Sequence, residues 1–209
     1  SDEIKNIFTI SSSKNHGVIK ATGNYLGGIV GNATASRDRI DIIGCENYGD
    51  VSGENSLAVG GIAGISKNGV SANLNVVDNC VNNGKIYGLG HVGGINGTST
   101  RAYVTNSINN GEVLGVNKST GVGIAGISGW TTDTSKIESS VNNGNVKGYA
   151  KVGGISGVCG KATSVNTTDE GKICTNAGEI TLYSAEEPTT LETGTKENNY
   201  VGLIKGQQL

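Results

Sequence analysis

The sequence predicts an all-β fold, a β-solenoid (β-helix) of about six coils with three short strands per coil, and three observations carry that expectation. A cassette [Cys/Ser]-x-Asn-x-Gly-x-[Val/Ile] occurs six times, beginning at Ser13, Cys45, Cys80, Ser107, Ser140 and Cys174. A second cassette close to Val-Gly-Gly-Ile-x-Gly follows each copy, centred on Ile29, Ile62, Ile95, Ile124, Ile155 and Ile204. The cassette asparagines Asn15, Asn47, Asn82, Asn109, Asn142 and Asn176 lie 32, 35, 27, 33 and 34 positions apart. Self-similarity at that period belongs to solenoids, propellers and arrays.

Each element follows from its side-chain period. In the first cassette Cys45, Asn47, Gly49, Val51 and Gly53 fall on alternate positions, so they share one face of a strand, while Glu46, Tyr48, Asp50 and Ser52 face away. Upstream lies another short alternation: Phe8 and Ile10, Ile40 and Ile42, Asn75 and Val77, Ala102 and Val104, then Ile137. It ends three residues before the Cys/Ser, an odd offset that requires a bend or bulge if both sets point inward. The second cassette has the same feature, with Leu26, Val59, Val92, Val152 and Val201 three residues before their Ile. Three strands and three corners in roughly 32 residues fit a solenoid coil. No amphipathic stretch of helical length supports a helical or leucine-rich repeat, and a propeller blade would need four strands and a closed ring.

Stacking explains the residue types. Equivalent positions on successive coils sit about 4.8 Å apart, so the Ile residues form an aliphatic column and the Asn residues an internal ladder of bonded amides. Cys45, Cys80 and Cys174 share a column with Ser13, Ser107 and Ser140 and read as small buried thiols, whereas Cys159 stands outside it. A Cys159–Cys174 link stays open as an alternative. Residues 183–199 interrupt the last repeat with four Glu and the only proline, Pro188, and read as an inserted loop or partial cap. The whole of 1–209 is read as one repeat domain.

Composition narrows the function. With 35 Gly, one Phe, no Met and 4% aromatic residues among 209, stability must come from many closely stacked units. A net charge of -2 gives no field for nucleic acid, and the apolar runs are too short to cross a bilayer, so neither nucleic-acid binding nor membrane insertion of this segment is expected. No charged-then-apolar leader stands at Ser1, which implies excision from a longer protein or a removed targeting segment.

The paired elements Asn-x-Gly-x-[Val/Ile] and Gly-Gly-Ile-x-Gly resemble GLUG-motif repeats, over about residues 13–206. Those repeats occur in large secreted or surface proteins of bacteria, including immunoglobulin A-specific metallopeptidases and adhesin-like proteins. The resemblance implies an extracellular, bacterial, noncatalytic region acting in adhesion, in binding a host protein or glycan, or in extending neighbouring domains of a larger chain. Gly121-Val122-Gly123-Ile124 departs from the pattern by permuting Val-Gly-Gly, and Val201-Gly202-Leu203-Ile204 by replacing one Gly.

No residues are assigned to catalysis, to a cofactor or to a metal. A zinc peptidase needs His-Glu-x-x-His or an equivalent, and the two histidines, His16 and His91, lie in different repeats. Gly153-Gly154-Ile155-Ser156-Gly157 imitates a serine-nucleophile motif, but its Ser is Ala63, Asn96 or Ala125 in other copies. The alternative function is a carbohydrate-active β-helix that binds or cleaves polysaccharide. Its carboxylates would come from Asp38, Asp41, Glu46 and Asp50, a cluster interleaved with Arg37 and Arg39. Tyr48 and Tyr87 face outward in different columns and build no continuous sugar-stacking track. Neither an EF-hand loop nor Gly-Gly-x-Gly-x-Asp marks a calcium site.

Overall fold

The computed structural model describes residues 6–119, 121–160, 162–166 and 169–183, and the backbone of 201–202 and 205–208. The first coil contains β1 (Ile7–Ser11), β2 (Lys14–Asn15), β3 (Ile19–Ala21), β4 (Tyr25–Gly27) and β5 (Val30–Ala35). The second repeats them as β6 (Arg39–Ile43), β7 (Glu46–Asn47), β8 (Val51–Gly53), β9 (Ala58–Gly60) and β10 (Ala63–Asn68). Every strand pairs in parallel with its equivalent on the next coil, giving five six-stranded sheets in which each strand's neighbours are its copies. The fold is therefore an all-β solenoid of six coils. All three strand-bearing stretches expected per coil are present. The two cassettes are each divided by a corner, so the first supplies the second and third sheets and the second supplies the fourth and fifth.

The odd offset between the upstream strand and the first cassette is absorbed by one residue. Ser12, Gly44, Asn79, Asn106 and Ser139, each immediately before its Cys/Ser, all have positive φ between 48° and 60°. A single left-handed residue turns the chain so that Ile42, Val77, Val104 and Ile137 and the following Cys/Ser all point inward. Asn75 stands in the inward column of Ile40 and Ala102 and is fully buried. It is tolerated there because its amide donates to the Ala33 and Lys67 carbonyls and accepts from Ile40 N and Asn68 Nδ2.

The expected Asn ladder is continuous. Asn15 Nδ2 donates to Asn47 Oδ1 at 2.7 Å, and the chain continues through Asn82, Asn109 and Asn142 to Asn176 at 2.6–2.8 Å. The second proton of each amide goes to the carbonyl of the Gly two residues on, at 2.7–2.8 Å. That local bond bends the cassette between its two strands. Asn47, Asn82, Asn109 and Asn142 are wholly buried.

Two glycine columns exist because the ladder leaves no room for a side chain. A Cβ on Gly84 would stand 2.0 Å from the Gly49 carbonyl oxygen, and one on Gly111 would stand 1.9 Å from that of Gly84. A Cβ on Gly61, the second glycine of Val-Gly-Gly-Ile, would meet Asn82 Cγ of the next coil at 2.4 Å; Gly28, Gly94 and Gly126 repeat this against Asn47, Asn109 and Asn142. The two cassettes recur together because the glycines of one form the wall against which the asparagines of the other pack.

The core splits into two clusters. One holds Ile62, Ile95, Ile127 and Ile155 with the upstream apolar column and the cysteines; the other holds Leu26, Val59, Val92, Ile124 and Val152 with Val51, Ile86, Val113 and Val146. This corrects the expected Ile column at one place. Ile124 pairs with Val92 and Val152, whereas Ile95 N donates to the Ile127 carbonyl. The fourth copy is therefore Ile124-Ala125-Gly126-Ile127 in the usual order, with no permutation. It is displaced by a longer preceding corner. Ile204 and 184–199, including Pro188, lie outside the described residues.

The Cys/Ser column is interchangeable for a chemical reason. Cys80 Sγ donates to the carbonyl of Asp78, Ser107 Oγ to that of Thr105 and Ser140 Oγ to that of Glu138, each two residues back, whereas Cys174 Sγ donates to the Ile137 carbonyl of the preceding coil. Burial pushes the Cys80 thiol up to about 12, so it is an inert filler at neutral pH. Cys159 lies instead in the fifth sheet, opposite Thr131.

Candidate functional site

The acidic cluster singled out in the sequence does not converge. Asp41 is buried and held by a two-pronged ion pair from Arg39 (2.8 and 2.7 Å); Asp38 accepts from Asn6 N and Nδ2; Asp50 accepts from Lys85 N. Glu46 faces out from the second sheet, where the Tyr48 hydroxyl and the Lys14 ammonium hold its carboxyl below the usual range. His16 stacks on Tyr48 at 4.7 Å, and Tyr87 lies in the third sheet. A carboxylate held ionised by a hydroxyl and an ammonium is a poor general acid. Among the described residues no three His, Cys, Asp or Glu gather as metal ligands, and no helix is long and apolar enough to cross a membrane.

A different place collects the features of a binding site. The distance from the cassette Asn to the column Ile is 14 residues in the first coil, 15 in the second, 13 in the third, 18 in the fourth and 13 in the fifth. The corner between the third and fourth sheets is thus longer in coils two and four than in coil three between them. Asn55, Ser56 and Leu57 rise on one side, Asn117, Gly121 and Val122 on the other, and the short corner Leu89-Gly90 forms the floor of a notch of about 360 Å³. The longer wall is braced locally: Asn117 Nδ2 donates to the Leu89 carbonyl at 2.7 Å and Asn117 Oδ1 accepts from Ser119 N at 2.8 Å.

A second hollow of about 290 Å³ adjoins it across Leu57 and His91, and is lined further by Tyr25, Ile65, Thr98, Thr100 and Trp130. Tyr25, Ala58 and His91 are consecutive in one outward column of the fourth sheet. Ala58, between the two rings, is buried. Ile65, Thr98 and Trp130 are consecutive in the facing column of the fifth sheet.

One imidazole, one indole and one ammonium set the electrostatics of this region. His91 packs against Trp130 with ring centroids 4.5 Å apart, and Lys151 lies 5.8 Å from the indole centroid. Trp130 thus stands over Gly123, between the residues of the coils above and below. Burial, with the nearby Lys151 charge, pulls the His91 imidazole down to about 4, so it is neutral at pH 7. Its Nδ1 accepts from Gly123 N at 3.1 Å, which puts the ring proton on Nε2. Burial also draws the Lys151 ammonium below the usual lysine range. Leu57 remains 56% exposed at the ridge between the hollows, an unusual position for a large aliphatic side chain.

Tyr25, Leu57 and Trp130 were not singled out from the sequence, and the reason is traceable. Placing Ile124 in the Ile column makes the fourth corner look ordinary. With Ile127 there instead, Trp130 falls three residues beyond it, as Ile65 and Thr98 do beyond Ile62 and Ile95. The lone Trp then appears on the outward face beside His91. No family model matches the chain, and no curated protein matches it.

Proposed function

We propose that this domain is a stiff, noncatalytic binding and extension module of a secreted or cell-surface bacterial protein, carrying GLUG-type repeats and engaging a host protein or glycan. The observation that carries the reading is the division of labour between faces. Every recurring residue is spent on ladders and corners, whereas the notch is built from residues that do not recur. A parallel stack pairs each strand with its own copies and gives a rod whose outward columns can vary without disturbing the inside. The carboxylates that a carbohydrate-cleaving β-helix would use are distributed over separate sheets and tied to local partners, which favours binding over cleavage.

Arrays of extracellular host proteins and glycans probed with the purified domain test this. Specific binding is expected, lost on Leu57→Asp at the notch ridge and retained on Lys20→Ala on the third sheet. Equal binding by both variants would overturn the placement, and no specific binding would leave only a spacer. Depolymerisation of a polysaccharide, abolished by changing Asp41 or Asp50, would replace the reading with the enzymatic one.

A further inference from the structure

The notch and its adjoining hollow also constrain the chemical class of what they hold, an inference that rests on the binding role proposed above. We propose that together they bind an uncharged oligosaccharide of at least two linked units, which crosses the ridge of Leu57 and His91 with one ring in each hollow.

Three observations lead there. No Asp, Glu, Lys or Arg lines either hollow, and His91, which does, is neutral at pH 7. The lining residues offer a charged ligand no opposite charge of their own, and the Lys151 ammonium beside the indole makes an acidic sugar the competitor that the test must separate. Next, the lining combines ring faces with small neutral hydrogen-bonding groups: Tyr25, His91 and Trp130 beside the hydroxyls of Thr98 and Thr100 and the amides of Asn55 and Asn117. A pyranose presents C–H faces to rings and hydroxyls around its rim, which matches that alternation.

Main-chain recognition, the usual means by which a sheet holds a peptide, is closed at this place. Strands of the fourth and fifth sheets at His91 and Thr98 are paired on both sides, so no edge is open for an added strand. A ligand here must be read by side chains.

The chain contains a single tryptophan, and it lines the second hollow, so intrinsic fluorescence reports occupancy there without a label. The probes are neutral di- to tetrasaccharides of glucose, galactose, mannose and N-acetylglucosamine, the matching monosaccharides, and acidic oligosaccharides of the same length. One neutral class is expected to shift the Trp130 emission saturably, with the monosaccharide and the acidic chain each weaker by about tenfold or more. Tyr25→Ala, at one hollow, and Leu57→Asp, at the ridge, are each expected to weaken binding by about tenfold while the melting temperature stays near that of the parent chain. Because Trp130 is in contact with His91, a saturable shift that survives both substitutions would place the sugar elsewhere and overturn the proposal. Absence of any saturable shift at millimolar sugar, checked by saturation-transfer NMR on the sugar protons, would also overturn it. If a host protein still bound in a Leu57-dependent way, the binding role would stand and only the ligand class would fall. If neither sugar nor protein bound, both would fall.

Discussion

Two asparagine ladders run side by side up this solenoid, built from neighbouring residues of the same Asn-Asn-Gly triplets. The inner one joins Asn82 to Asn109 to Asn142 at 2.7 Å; the outer one joins Asn110 to Asn83 and Asn143 to Asn110 at 2.9 Å. Side chain and bond are the same, and burial is opposite: the inner amides are wholly covered and the outer ones exposed. Inside, both amide protons are used and no water can replace a lost partner, so the bond fixes the position of a coil. Outside, water competes for the same groups and the ladder decorates a surface that could carry something else. Recurrence alone does not reveal which residues hold the molecule together; recurrence with burial does.

The sharpest way to break that contrast is at the glycines beside the inner ladder. Gly111→Ala drives a Cβ to 1.9 Å from the Gly84 carbonyl oxygen, and is expected to cost about 3 kcal/mol or more, read as a fall in the denaturant midpoint. Gly17→Ala in the first coil, where the nearest atom is 3.6 Å away, is expected to leave the midpoint unchanged.

His91 comes next, because it belongs to an outward column and is nonetheless covered. Its folded pKa, about 4, lies below the ordinary 6.5, so the unfolded chain takes up the proton first as pH falls. Stability is whole above pH 6.5 and declines from there to about pH 4, by on the order of 3 kcal/mol from this one group. Urea unfolding at both ends of that window should show a smaller decline in His91→Asn than in the parent, with the titrating carboxylates common to both.

Asn109→Ala removes an acceptor from Asn82 and a donor to Asn142, with an expected cost of about 1 to 3 kcal/mol; Asn110→Ala on the outer ladder should stay within about 0.5 kcal/mol. The smallest effect on stability is expected of Leu57→Asp. It should leave the melting temperature close to that of the parent and report itself only through binding.

Much of the fold was legible because the physical demands of stacking are local and repeat. A two-residue period and an odd offset that calls for a bend can be read from residues 40–62; the left-handed residue that makes the bend, and the adjacent-coil carbonyls and amides that exclude a Cβ from the cassette glycines, cannot. Registration failed where the corner before Ile124 lengthened, since Ile124 and Ile127 both satisfy an apolar column and only the hydrogen-bond partners distinguish them. The notch was illegible for the same reason. It is made by differences in corner length between coils two, three and four, and those differences carry meaning only once the coils are in register. The acidic cluster around Asp41, which only the alternative enzymatic reading would use, is dispersed because residues close in sequence are sent to different sides of the coil.

Side-chain amide hydrogen exchange, followed by NMR in heavy water, puts the inside-outside division to the most direct test. The Nδ2 protons of Asn82, Asn109 and Asn142 should persist far longer than those of Asn83, Asn110 and Asn143, by orders of magnitude under conditions where the fold is stable. Equal exchange in the two sets would mean that the inner asparagines reach water, and the repeat would no longer be the scaffold described here.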